Sequence, residues 1–258
     1  MATNQTIRAT APARRLALGW DAAMALAATE YDRVADLLDQ LEPAQWAAAT
    51  DCPAWDVRAM AGHLLGMAQM VATQAETERQ QVASHEAAAQ SDISALDALT
   101  ALQVEQNADL DTADLVRQVR TVGPQAASSR RQTPAEVRDS TMAEMQDPGG
   151  GTLEPWTFGY LLGIILTRDP FMHRIDIARA TGVPLALSPG HEGMLVDDVV
   201  REWTGRHGRP FSLELTGIAG GHWGAGGGED ISMDALEFCR TLSGRQEGTG
   251  LLSERVPF

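Results

Sequence analysis

Arg168-Asp169-Pro170-Phe171-Met172-His173-Arg174-Ile175-Asp176-Ile177-Ala178-Arg179-Ala180-Thr181-Gly182 closes the most apolar part of the chain, yet it carries ionisable residues where a helix should be buried. Taking about 100° per residue from Asp169, His173 falls at about 40° and Asp176 at about 340°. Leu162, Ile165, Leu166 and Ala180 fall between about 320° and about 60°, so three polar groups share the core-facing stripe. Buried charge is costly unless it is paired or bound to metal, and the stripe therefore calls for a partner. Asp169 and His173 are one turn apart, the spacing at which two side chains reach the same ion. A second reading competes with this one. Asp followed by Pro is a common N-cap and first-position pair, so a helix starting at Asp169 leaves His173 as a satisfied core histidine and Asp176 as a surface charge.

Working outward, Trp156 to Ala180 reads as one helix that stops at Gly182 with Pro184 beyond, after a loop at Asp147-Pro148-Gly149-Gly150-Gly151. Upstream, Leu18 to Leu41 has helical apolar spacing and ends before Pro43. A second helix opens at Asp56 as N-cap, with Trp55 and Met60 as a hydrophobic staple, and runs to about Ala89. Asp92 to Arg131 supplies one or two more helices, with Gly123-Pro124 as a break. Four long helices predict a bundle. On the second helix His63 flanks the stripe of Val57, Met60, Ala61, Leu64, Ala68 and Val71. Alone it reads as a core or boundary histidine. Combined with Asp169 and His173 it gives a two-His, one-carboxylate set with open positions, as in a catalytic metal site.

From Ser188 the texture changes. A helix from about Glu192 to Arg206 leads into the alternating strand Phe211 to Thr216, then a short strand at His222-Trp223 among glycines, and a last helix, Met233 to Leu242, capped by Ser232 and closed by Gly244. The expected fold class is mainly α with a C-terminal α/β unit. The expected division is a loose tail over residues 1–17, a helical bundle over 18–187 and a small α/β domain over 188–258.

Of the 258 residues, 44% are apolar and 21% charged, as in an ordinary globular protein. A net charge of −15 argues against nucleic-acid or anionic-lipid partners. All 20 basic residues are Arg, which excludes a Walker-A loop, a Schiff base and a lysine base. Cys52 and Cys239 are too few for a disulfide framework or a four-thiolate zinc site. The longest apolar run, Tyr160 to Leu166, falls far short of the roughly 20 residues that span a bilayer, and no hydrophobic signal region precedes it. A cytoplasmic location without membrane contact is expected.

Two stretches carry a resemblance. Cys52-Pro53-Ala54-Trp55-Asp56-Val57-Arg58-Ala59-Met60-Ala61-Gly62-His63-Leu64-Leu65-Gly66 resembles the signature opening the second helix of DinB-like, mycothiol-dependent maleylpyruvate isomerase family proteins, and Arg168 to Gly182 is similar to the second signature. The resemblance implies a DinB-like four-helix bundle in which His63, Asp169 and His173 bind a divalent metal, usually zinc. It departs at Asp169, where the isomerase proper has Glu. Phe211 to Arg245 resembles the family's small C-terminal domain, related to sterol-carrier folds. It also implies that Arg245, in the terminal Ser243-Gly244-Arg245, binds a substrate carboxylate; the competing role is a cation favoured at a helix C-terminus. Mycothiol is the implied cosubstrate. In the isomerase its thiolate adds to a conjugated double bond, the bond rotates, and elimination gives the trans alkene.

The expectation is therefore a metal- and thiol-dependent isomerase or S-transferase acting on a small, anionic substrate, as a monomer or homodimer. A metal-dependent hydrolase or lyase without a thiol is the first alternative, and a non-catalytic ligand-binding protein the second. His222 and Trp223 read either as a pocket wall or as a buried strand pair. Cys52 reads as packing, or as a reactive thiol near a helix N-terminus.

Overall fold

The computed structural model describes residues 6–7, 12–149, 151–224 and 226–258. In chain order the elements are β1 (Thr6–Ile7), α1 (Trp20–Leu38), a 3-10 turn (Pro43–Ala47), α2 (Val57–Ala72), α3 (Gln74–Gln90), α4 (Ala95–Gln106), α5 (Thr112–Arg131) and α6 (Ala135–Asp139). There follow β2 (Thr152–Leu153), α7 (Phe158–Tyr160), a π turn (Leu161–Ile165), α8 (Leu166–Thr181), α9 (Glu192–His207), β3 (Phe211–Thr216), β4 (Gly221–Gly224), β5 (Glu229–Asp234), α10 (Ala235–Ser243) and a 3-10 turn (Gly250–Ser253). The chain is mainly helical with a small C-terminal sheet, as its sequence predicts, but the sheet has three strands where the sequence pattern predicts two. Two compact units interleave along it: Met1–Leu26, Pro134–Met172 and Ala186–Phe258 form one, Ala27–Thr133 and His173–Leu185 the other.

In the second of these, α2 is the central helix, packed by α3, α4 and α5. It starts where expected, because the Asp56 carboxylate accepts from the Ala59 amide at 2.8 Å. It ends earlier than expected. Thr73 turns extended (φ −143, ψ 147) and its hydroxyl accepts from the Glu76 amide, so one residue stops α2 and caps α3. Close approach of α4 is built on Gly66, where an added Cβ would lie 2.6 Å from the Gln103 Cβ. Pro124, expected to break a helix, lies inside α5. On the far side the Arg174 guanidinium grips the Glu30 carboxylate through Nε and Nη2, the latter at 3.0 Å, with both side chains about 1% exposed.

The other unit is organised around Trp203, fully buried against Phe211 and Phe238, its indole N–H donating to the Leu251 carbonyl at 3.0 Å. The sheet order is β4-β3-β5, with β3 antiparallel to β4 and parallel to β5. Phe211, Leu213 and Leu215 of β3 face the core and the residues between them face out. Ser232 does not cap the last helix. It lies within β5, and Asp234 caps α10 instead, accepting from the Leu236 amide at 2.8 Å and the Glu237 amide at 3.2 Å. An ionised carboxylate is as good a cap as a hydroxyl, and the strand's pairing with β3 carries it two residues further than helical periodicity suggests. Nor is the N-terminal segment wholly loose: β1 pairs with β2, and the Arg14 amide donates to the Pro155 carbonyl at 2.8 Å.

Around the start of α8 this unit buries an ion network. Arg168 donates to Asp198 at 2.6 Å, to Glu202 at 2.8 Å and to the Pro257 carbonyl at 3.2 Å. Arg206 bonds Glu154 at 2.7 Å and Glu202 at 2.6 Å, and the Tyr160 hydroxyl donates to Glu202 at 2.6 Å. Burial pushes the Glu202 and Glu154 carboxyls up, but the adjacent guanidiniums outweigh it and hold both below the ordinary glutamate range. Carboxyls depressed in this way contribute stability that is complete above the ordinary glutamate value and lost as pH falls through the folded values. Melting temperature is expected to drop steeply below about pH 4.5, and Arg206→Met is expected to flatten that acid limb. A variant with the full wild-type acid slope would rule the network out as its source.

Candidate metal centre

The sequence raised two readings of Asp169, and the structure separates them. α8 begins at Leu166, directly after the π turn, so Asp169 and Pro170 lie inside a continuous helix and Asp169 is not its N-cap. Pro170 lacks the N–H that would bond back within this first turn, where the geometry has just changed from π to α. Asp169 and His173 consequently stand one turn apart on one helix, with a carboxylate oxygen and a ring nitrogen within 4.8 Å of each other.

His173 faces His63 of α2. The rings meet edge to face with centroids 5.3 Å apart, and a nitrogen of each lies within 4.8 Å of the other. His63 is 4% exposed and His173 is 5% exposed, whereas Asp169 is half-buried. Two imidazoles and a carboxylate are the donor set suited to zinc or another divalent first-row metal.

Trp55 closes over the pair. Its ring lies 4.8 Å from His63 at 30° and 5.7 Å from His173 at 56°, a role that its reading as a staple residue missed. The loop carrying it is held from within: the Thr50 hydroxyl donates to the Trp55 carbonyl at 2.8 Å and accepts from the Cys52 amide at 3.1 Å, and the Trp55 amide donates to the Cys52 carbonyl at 2.9 Å. Arg179 of α8 reaches Asp51 in the same loop at 3.1 Å. An indole immediately before an N-cap, eight residues ahead of a histidine, was the available signal.

Asp176 is no surface charge. It is fully buried, and its Oδ2 lies 3.1 Å from His173 Nδ1 and 3.9 Å from the Cys52 sulfur. Cys52 is half-buried, while Cys239 is fully buried and its thiol is pushed up to about 12 by that burial. Elsewhere, His222 is exposed on β4 opposite Glu214, and Trp223 donates to Asp197 of α9 at 2.8 Å, so this is not a buried strand pair, and both residues line an open pocket with Glu214 and Asp230. Arg245 is half-buried just past α10. Gly244 (φ 92) donates to the Thr241 carbonyl at 3.1 Å and the Arg245 amide to the Arg240 carbonyl at 3.0 Å, a Schellman motif that fixes where the Arg245 backbone leaves the helix.

The elements define a class: a helical protein with a small C-terminal sheet and a buried pair of facing histidines. The family model described as the mycothiol maleylpyruvate isomerase N-terminal domain matches residues 27–178, and the chain belongs to that family. Among solved structures, the chain resembles a mycothiol-dependent maleylpyruvate isomerase at 15% identity and TM-score 0.52, covering 93% of this chain and 92% of that one. It also resembles a histidine-to-alanine mutant of the mycothiol-dependent maleylpyruvate isomerase at 13% identity and TM-score 0.54, with 89% and 90% covered. These likenesses are of fold. A comparison with curated proteins finds no match. Among the described residues no helix is long and apolar enough to cross a membrane.

Proposed function

We propose that the chain is a divalent-metal-dependent enzyme that uses a small thiol, mycothiol by family, to isomerise or transfer sulfur to a small anionic substrate. His63, Asp169 and His173 are the proposed ligands and zinc the proposed metal, in a DinB-like four-helix bundle followed by a sterol-carrier-like domain. The observation that carries this reading is the pair of buried imidazoles facing each other, one of them a turn from a carboxylate. A bound divalent metal would supply a charge that keeps a coordinated thiol deprotonated near neutral pH.

The chain's own groups then have defined tasks. The two imidazoles and the Asp169 carboxylate would hold the ion, and Trp55 covers the imidazoles. Arg245 is the proposed carboxylate anchor, since a guanidinium binds a carboxylate through two parallel hydrogen bonds. In a chain of net charge −15 without lysine, only arginine supplies fixed positive side-chain charge for an anion.

The test is maleylpyruvate isomerisation by the purified protein with and without mycothiol. Turnover that requires the thiol is expected. Arg245→Lys is expected to lower kcat/KM about tenfold to a hundredfold without changing metal content, because the charge remains and the fork is lost. Metal-dependent turnover that ignores the thiol would replace this reading with hydrolase or lyase chemistry. A folded protein with no metal and no turnover would leave a ligand-binding role.

A further inference from the structure

Buried carboxylates need donors, and the donors found for Asp176 give it a task. Its Oδ2 lies 3.1 Å from Nδ1 of His173, three residues earlier on α8, and the Cys52 thiol approaches the same oxygen at 3.9 Å. A carboxylate oxygen accepts, so the ring hydrogen belongs on Nδ1 and the thiol hydrogen also points to Asp176. His173 is thereby left with Nε2 as the nitrogen that carries a lone pair. We propose that Asp176 is the positioning residue of the centre: it fixes the tautomer and the rotation of the His173 ring, and Cys52 braces Asp176 from the Trp55 loop without itself binding metal.

This inference rests on the metal reading above. The rings of His63 and Trp55 bear on His173 from the other elements, and the 3.1 Å hydrogen bond to Asp176 adds a directional hold that these ring contacts lack. Orientation matters here because a ligand ring turned over offers its N–H where its lone pair is needed. Carboxylates placed behind ligand imidazoles typically contribute about tenfold to a hundredfold in metal affinity. Asp169 and Asp176 flank His173 on the same helix, so the sequence presents two equivalent carboxylates and the contacts tell them apart.

The experiment uses the full-length protein labelled with nitrogen-15. Long-range proton–nitrogen correlation of the imidazoles reads the His173 tautomer in the metal-free state, and cobalt(II) titration against a chromophoric chelator reads affinity. The wild type is expected to carry its hydrogen on Nδ1. Asp176→Asn is expected to mix the tautomers and to weaken cobalt binding about tenfold to a hundredfold. A wild-type His173 protonated on Nε2 overturns the proposal, whether or not the variant folds. So does an Asp176→Asn protein that keeps its cobalt affinity, and so does a thiolate-to-cobalt charge-transfer band, which would make Cys52 a ligand. If the wild type takes up no cobalt while its tautomer still follows Asp176, the metal reading fails and the positioning role stands.

Discussion

Replacing His173 by Ala is expected to take the protein from close to one bound divalent metal to nearly none while its helical circular dichroism persists. His63→Ala should do the same. Each change removes one of three proposed protein ligands from a site where water cannot supply an equivalent buried donor, and a loss in affinity on the order of a hundredfold or more follows. Asp169→Asn provides the sharper comparison. Were Asp169 a helix cap, Asn would replace it at little cost, but α8 already runs through this position from Leu166, so capping cannot compensate. A neutral amide is a poor ligand for a divalent ion, so metal content should fall, and melting temperature should fall with the loss of bound metal. Metal analysis and thermal melts of the three variants decide the matter. A wild type that is folded, active and metal-free would end the catalytic reading.

Arg174→Met is expected to have the largest effect on stability. Arg174 adjoins His173 but turns to the opposite task, closing on Glu30 of α1 where both groups are about 1% exposed. Removing one partner of a buried ion pair leaves the other charge in a medium that cannot solvate it, at a cost of about 3–5 kcal/mol. For a chain of this size that is a fall in melting temperature on the order of 10 °C. The double variant Glu30→Leu, Arg174→Met should recover most of the loss, since an apolar pair of similar volume carries no desolvation penalty. A single variant within 1 °C of wild type would show that the pair is solvated in solution.

The helices were legible in the sequence because apolar periodicity is a local property. α1, α9 and β3 fall within a few residues of expectation, and Asp56 and Gly244 mark ends as caps should. The errors occur where one residue overrides the period. Thr73 interrupts a run that would otherwise read as a single helix, because its hydroxyl satisfies the next helix's amide. Pro124 is accommodated inside a helix that its sequence neighbourhood seemed to end. Ser232 and Asp234 are both good caps two residues apart, and only the pairing of β5 with β3 chooses between them. His63, Asp169 and His173 could be selected by spacing and resemblance. The Cys52–Asp176 contact could not, and Trp55 had only its place before the Asp56 cap as a signal, since both depend on where a loop folds back onto α8. The interleaving of the two units is likewise a matter of long-range contact, which a linear division of the chain does not contain.

The π turn at Leu161–Ile165 makes one further geometric relation possible. Tyr160 and Arg168 both hold Glu202, one through each carboxylate oxygen, from positions eight residues apart. In an uninterrupted α-helix, eight steps place two side chains about 80° apart around the axis, facing different neighbours. A turn with one surplus residue absorbs a step, so the pair behaves as though seven apart, within about 20° of a common line. The surplus residue therefore acts as a phase adjuster: it lets an aromatic and a guanidinium two turns apart converge on one acceptor. Winding Leu161–Ile165 as regular α-helix at unchanged length would swing Tyr160 about 100° away from Glu202. Winding in this segment is thus constrained more tightly than composition: several apolar residues would serve at each position, but with the two donors eight residues apart only the wide turn keeps them in line.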